Sequence, residues 1–290
     1  MLLELAIGDA YGAGFEYADA SVVKQFNTLG AYRQHQKYDV GNGRYTDDTQ
    51  MSLAIAELLV DDVAWTPLVI ARKFVEVFKR DPREGYAGKF YQFLQDVRTG
   101  EEFLERMRPD SDKSGAAMRA APIGFLQTIP DVMSYATAQA RVTHDTSLGI
   151  NAAVASALMS HYFLYGLGDK NDVGRFVEQH VPGEWSPAWT GAVGAQGYMS
   201  VRAAITAVQE ERTMSGILKR CIDFSGDVDT VATIALAAAS CCDGIPQDLP
   251  KNLHEGLEDS RYGRTYLMAL DKTLAQKFGK SAEKPPAPIA

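Results

Sequence analysis

Two short acidic stretches hold the residues best placed to do chemistry. RYTDDTQ sets Thr46, Asp47, Asp48 and Thr49 side by side before an apolar helical pattern. DFSGDVDT sets Asp227, Asp229 and Thr230 before another, with Asp223 close by, about 180 residues further on. Taken alone, TDDT suits a helix start: Thr and Asp are favoured N-caps, carboxylates complement the helix dipole, and Asp47 with Gln50 resembles a capping box. Its repetition points further. If the two helix starts meet, their carboxylates and hydroxyls converge, and ionising all of them is costly without compensation. A bound cation removes that cost. The donors are all oxygens with no nearby His or Cys, which selects a hard ion such as Mg²⁺, Mn²⁺ or Ca²⁺ over zinc or copper. Two helix N-termini oppose a cation, so several carboxylates are needed, and two neighbouring ions would use this many ligands well.

The elements that must position these groups are helical. Apolar residues recur at helical spacing along nearly the whole chain, with Gly, Pro and Asp between the segments and almost no strand-like alternation. TPLVIARKFVEVFKRDP opens at Pro67 and stops before Pro82, and AGKFYQFLQDVRTG ends at Gly100 as a C-terminal cap. SGAAMRAAPIGFLQT and VGAQGYMSVRAAITAVQEE each read as a helix, the latter with Tyr198 in its middle. Ala, Ser and Gly are frequent, and small residues let helix axes approach closely, so the expected fold is an all-α compact multi-helix bundle. No linker or repeat divides the chain; residues 1–280 are expected to form one domain and 281–290 a flexible tail.

Composition narrows the functional classes. The chain has 290 residues, 46% apolar and 23% charged, which is ordinary for a globular protein able to bury a core. The net charge of −8 argues against binding to nucleic-acid phosphate backbones. No apolar run is long enough for a membrane span, and MLLELAIGDAYG meets Glu4 and Asp9 too early for a secretory signal. Cys221, Cys241 and Cys242 form neither a disulfide framework nor a spaced zinc site, which suits the cytoplasm.

Six ordered motifs resemble the ADP-ribosylglycohydrolase family, including its dinitrogenase-reductase-activating type: IGDAYGAGFEY, YTDDTQMSLAIAE, SGAAMRAAPIG, THDTSLGINAAVASA, QGYMSVRAAITAV and SGDVDTVATIALAAA. The pattern departs at Val228, where the family reads Thr, and at Ser114, where Asn is frequent. The resemblance implies an all-α fold and two divalent cations, Mg²⁺ or Mn²⁺, with Thr46, Asp47 and Asp48 on one side and Asp227, Asp229 and Thr230 on the other. It implies hydrolysis of the N- or O-glycosidic bond at C1″ of ADP-ribose. Asp47 or Asp48 would be ligand and proton acceptor, and Glu16 a mobile acid over the scissile bond; unaided, Glu16 reads equally as a solvated charge.

Backbone N–H groups of Ser114, Gly115 and Ala116, where a helix begins, suit a pyrophosphate, and Gly115 lets the backbone approach closely. Arg119 ranks behind them, since a helical Arg is usually solvated or salt-bridged. The resemblance moves His144, otherwise a structural or surface residue, to the substrate wall. It lays the ring of Tyr198 along the adenosine, with Gly197 opening space. The expected partner is ADP-ribosylated protein, arginine-linked first, or another conjugate such as O-acetyl-ADP-ribose; a non-catalytic ADP-ribose binder or structural member is the third alternative. A monomer is expected.

Overall fold

Threonine caps set five of the helix starts. Thr66, Thr99, Thr128, Thr146 and Thr213 each accept a hydrogen bond from the backbone N–H three residues on, and Pro67 and Pro130 occupy first-turn positions that need no N–H donor. The computed structural model describes residues 1–279, so the tail expected at 281–290 lies outside the described residues.

Among those residues there are fifteen α-helices, two short 3₁₀ turns and no strand, as the periodicity predicts. The helices are α1 (Leu2–Ala13), α2 (Ala20–Phe26), α3 (Asp47–Asp61), α4 (Pro67–Arg80), α5 (Gly88–Asp96), α6 (Gly100–Arg106), α7 (Gly115–Met118) and α8 (Ile129–Arg141). They continue as α9 (Ser147–Leu164), α10 (Val173–Glu178), α11 (Gly197–Glu210), α12 (Met214–Asp223), α13 (Val228–Ala239), α14 (Lys251–Gly256) and α15 (Arg264–Lys277). None is long and apolar enough to cross a membrane.

Three boundaries differ from expectation. Gly100 does not cap α5; it opens α6, where a Cβ would stand 2.8 Å from the Arg72 backbone nitrogen. The segment after Ser114 is not one helix: α7 lasts a single turn, and a 3₁₀ turn over Ala121–Phe125 follows, because Pro122 has no N–H to continue the ladder. Tyr198 is the second residue of α11 rather than a mid-helix residue, since Val193 and Gln196 pair with Gly226 and Lys113 instead of joining the helix.

Small residues decide the centre of the bundle. α13 is buried along its whole length, and α1 lies directly against it. A Cβ on Gly8 would sit 2.6 Å from the Ala232 carbonyl oxygen, and one on Gly12 only 2.4 Å from the Asp229 Cα. These glycines allow backbone-to-backbone approach. Their effect is local and specific: they press the C-terminal half of α1 onto the first turn of α13, while α3 packs on the same two helices.

Candidate metal centre and substrate cleft

The two acidic motifs meet. Thr230 in the first turn of α13 reaches Asp48 in the first turn of α3, α1 packs against both helices, and Asp9 of α1 holds the α3 start. Its Oδ2 accepts from the Thr46 and Thr49 N–H groups at 2.9 and 3.0 Å and from the Thr49 hydroxyl at 2.6 Å. Its Oδ1 accepts from the Thr46 hydroxyl at 2.6 Å. The capping expected of TDDT itself is therefore absent: neither Thr46 at the N-cap of α3 nor Asp227 at the N-cap of α13 makes a side-chain cap bond. Gln50 makes no capping box either; its amide donates to the Val77 and Asp81 carbonyls while its oxygen accepts from the Tyr86 hydroxyl. With a carboxylate from another helix serving the orphan N–H groups, Asp47 and Asp48 are released for other work. The Thr46 hydroxyl has spent its hydrogen on Asp9, which leaves its oxygen able to coordinate. Asp9→Ala strands four buried donors and should cost about 2–4 kcal/mol in urea unfolding; an unchanged midpoint would show that this cap does not hold α3.

The acidic cluster is electrostatically incomplete. Asp48 Oδ2, Asp227 Oδ2 and Asp229 Oδ1 are buried without a hydrogen-bond partner. Burial, then neighbouring carboxylates, pushes Asp47, Asp48 and Asp229 well above the usual carboxylate range. Burial and the Glu16 carboxylate push Asp227 up to about 6. Asp48 is raised by Asp227 and Asp229 by Asp48, so the groups across the gap sense one another. Carboxylate oxygens of Glu16, Asp227 and Asp229 lie within 4.8 Å of one another. Unpartnered buried acceptors of one sign, all oxygen, fit hard divalent ions.

Two loops complete this wall. At Ser225 and Gly226 the backbone enters the left-handed region, with φ of 65° and 90°. A Cβ on Gly226 would lie 1.9 Å from the Val193 carbonyl oxygen, so glycine is required there. The Gly226 carbonyl accepts from the Tyr17 N–H at 2.8 Å, which draws Glu16 over Asp227 and Asp229. Sequence reasoning placed Glu16 above the scissile bond; its position also makes it a candidate ligand. It missed His35. The Lys37 and Tyr38 N–H groups donate to His35 Nδ1, so Nε2 carries the ring hydrogen and donates to Glu16 Oε2 at 2.7 Å. On the other wall Gly85, with φ of 109°, passes Asp47 so closely that a Cβ would touch its Oδ1. Val228, where the family pattern has Thr, is fully buried, so its methyl groups pack in the core.

Beside the cluster runs the 109–114 loop. The Asp145 N–H donates to the Pro109 carbonyl, the Thr146 hydroxyl to Ser111 O and the Gly197 N–H to Asp112 O, which clamp the loop between the starts of α9 and α11. The Ser114 N–H donates to Ala195 O at 2.9 Å and is not available to an anion, contrary to expectation. The Gly115 and Ala116 N–H groups open α7 and have no intrahelical acceptor. The Ser114 hydroxyl instead faces Asp227, partly offsetting its raised pKa, as does the hydroxyl of Thr230. His144 stands against Gly115: a Cβ there would lie 3.0 Å from its Cε1 and 3.3 Å from its Nε2. Gly197 has no room for a side chain beside Lys113 O and Ala152 Cβ, both 3.0 Å from a Cβ position. Tyr198 packs edge-on to Trp189 and lines a cleft of about 240 Å³ with Leu148, Pro182, Trp185 and Arg202.

An all-α bundle whose acidic cluster joins the starts of two helices, beside a glycine turn and a histidine, defines a narrow class. The ADP-ribosylglycohydrolase family model matches residues 1–284, and the chain belongs to that family. It is 31% identical to ADP-ribosylhydrolase ARH3 of Xenopus tropicalis over 179 residues, 57% of this chain and 49% of that one. It is 30% identical to the Mus musculus ARH3 over 192 residues, 60% of this chain and 50% of that one. The chain thus spans about half the length of these ARH3 relatives. It is 26% identical to the ADP-ribosyl-[dinitrogen reductase] glycohydrolase of Rhodospirillum rubrum over 291 residues, 94% of both chains. A solved ADP-ribosylglycohydrolase-related protein complex shares the fold with a TM-score of 0.73 at 22% identity, over 95% of each chain.

Proposed function

We propose that this protein is a Mg²⁺- or Mn²⁺-dependent hydrolase that cleaves the glycosidic bond between ADP-ribose and an acceptor, with ADP-ribosylated protein as the preferred substrate class. The observation that carries this is the set of unpartnered buried carboxylate oxygens on Asp48, Asp227 and Asp229, contributed by two helix starts and placed beside the Gly115 turn, whose first N–H groups have no intrahelical acceptor. The full-length match to a relative named for a modified protein supports a protein-linked substrate. Arginine-linked ADP-ribose is the first acceptor to test.

Thr46, Asp47, Asp48, Asp227, Asp229 and Thr230 would hold the ions, with Glu16 alongside. When bound, divalent ions orient the ribose diol and a water and lower the pKa of that water. The chain's own residues do the rest. The Gly115 and Ala116 N–H groups receive the pyrophosphate. His144 lies along the same wall, and Tyr198 offers a face to the adenosine. Cleavage builds positive charge at the anomeric carbon, as in glycosidases generally, and the surrounding carboxylates stabilise it. Asp47 or Asp48 takes the proton from water, while Glu16, oriented by His35, stands over the departing acceptor.

The test is turnover on Arg-linked, Ser-linked and O-acetyl ADP-ribose side by side, with melting temperatures in Mg²⁺, Mn²⁺, chelator and ADP-ribose. Release of ADP-ribose that stops on chelation and returns with metal is expected, together with stabilisation by metal and by ligand. Stabilisation without release on any substrate would make the protein a binder and not a hydrolase; the absence of both stabilisation and release would overturn the proposal outright.

A further inference from the structure

Behind His144 lies a buried cation that the reaction as described does not use. Arg119 is 1% exposed, and among the described residues it is held by neutral acceptors, with no carboxylate acting on it. It is thus neither solvated nor salt-bridged, contrary to expectation. Its guanidinium rests 4.5 Å from the centre of the Phe74 ring. Nε donates to Gln139 Oε1 at 2.6 Å, and Nη2 donates to the Gln139 carbonyl at 3.1 Å and to Thr143 Oγ1 at 2.8 Å. The Gln139 amide nitrogen donates in turn to Ala116 O at 2.9 Å, tying the arginine to the turn that opens α7. Fully burying a cation is costly unless its donors are satisfied, and this one is held by neutral acceptors alone.

We propose that Arg119 and Thr143 are positioning residues that lock His144 as an Nε2–H donor aimed at the anionic part of the ligand on the Gly115 turn. The direction of the chain follows from donor chemistry. Arginine only donates, so the Thr143 hydroxyl accepts from Nη2 and points its own hydrogen elsewhere. Thr143 Oγ1 lies 2.7 Å from His144 Nδ1, and among the described residues no other acceptor is within reach of its hydrogen, so Nδ1 accepts. The ring hydrogen is then confined to Nε2, the nitrogen on the Gly115 side. Independently, burial and the nearby Arg119 charge lower His144 to about 3, and burial lowers Arg119 to about 9, so at neutral pH the imidazole is neutral and the guanidinium charged. A neutral imidazole with the other tautomer would present a lone pair to a phosphate oxygen and repel it. The relay removes that state.

The identity of the ligand rests on the proposed function, and the experiment separates the two. Side-chain ¹⁵N–¹H correlation spectra of His144 and calorimetric ADP-ribose affinity are measured on the wild type, Thr143→Val and Thr143→Ser, all in Mg²⁺. The wild type should show the Nε2–H form. Thr143→Val keeps the shape but loses the hydroxyl; it should populate both tautomers and weaken ADP-ribose about three- to tenfold, raising KM more than it lowers kcat. Thr143→Ser should restore both readouts. An Nδ1–H form in the wild type, or unchanged tautomer and affinity in Thr143→Val, overturns the relay. Absence of ADP-ribose binding to the wild type overturns the ligand assignment, and the functional proposal with it, while the spectra still decide the relay.

Discussion

Asp229→Ala should lower turnover by more than about 100-fold, beyond what losing an outer partner of a metal ligand costs, and should raise the melting temperature of the metal-free protein. The two effects have one origin. Asp229 is 6% exposed, its Oδ1 has no hydrogen-bond partner, and Glu16, Asp227, Asp48 and Asp9 add to the burial that raises its pKa. Without a cation it is a buried acceptor among like charges, a situation that costs about 1–3 kcal/mol. Removing it should raise the melting temperature by a few degrees, at about 2–4 °C per kcal/mol for a chain of this size. The gain has a pH signature. A carboxyl whose pKa is raised on folding destabilises the protein above its folded value, and the penalty fades as pH falls toward the unfolded value near 4. The variant's advantage should therefore be full above the raised pKa and vanish below about pH 4. With Mg²⁺ or Mn²⁺ added the order should reverse, because only the wild type gains metal stabilisation. Melting curves in chelator and in metal, at several pH values, decide it. Full turnover of the variant at limiting metal would remove Asp229 from the site.

Glu16→Gln tests the other half of the chemistry. Glu16 is half-buried, held by His35 and by the Tyr17 N–H bond to Gly226, with its carboxylate within 4.8 Å of those of Asp227 and Asp229. Glutamine keeps the size and can still accept from His35, but it cannot take up or give a proton. As a positioned acid or base, Glu16 should contribute about 10²–10⁴-fold to kcat. ADP-ribose affinity should change little, and the metal concentration at half-maximal activity should shift far less than the rate. A variant with normal kcat at saturating metal and a strongly raised metal requirement would make Glu16 a ligand and not a proton carrier. His35→Ala, which frees the Glu16 side chain, should fall between wild type and Glu16→Gln.

Much of this was legible from residues that act through their immediate neighbours. The helical period of the apolar residues and the oxygen-only character of the two acidic stretches are local properties; the first foretold an all-α bundle and the second a cluster of oxygen donors. Where one residue can serve two local purposes, the sequence was ambiguous. TDDT reads as a cap because nothing in its neighbours reveals that Asp9, on another helix, takes the capping N–H groups. Gly100 reads as a terminator because the close approach of Arg72 is invisible along the chain. Gly226 was part of a motif, but its need for a left-handed backbone against Val193 shows only in three dimensions.

The chain by itself determined which groups are available: carboxylates and hydroxyls crowded at two helix starts, a glycine turn, a histidine at another helix start and a helical tyrosine. Tertiary packing decided what each one does. The glycine contact of α1 with α13 brings distant acids together, and partners on other elements determine which carboxylate caps a helix, which accepts a histidine N–H and which is left without a hydrogen-bond partner. The physical reason is range. Helix propensity and capping act over a few residues, whereas desolvation, like-charge repulsion and hydrogen-bond assignment depend on which groups the fold makes neighbours. His35 and Thr143 carry no signal in their own surroundings along the chain; their partners from other parts of the chain, Glu16 for His35 and Arg119 for Thr143, show only in the fold.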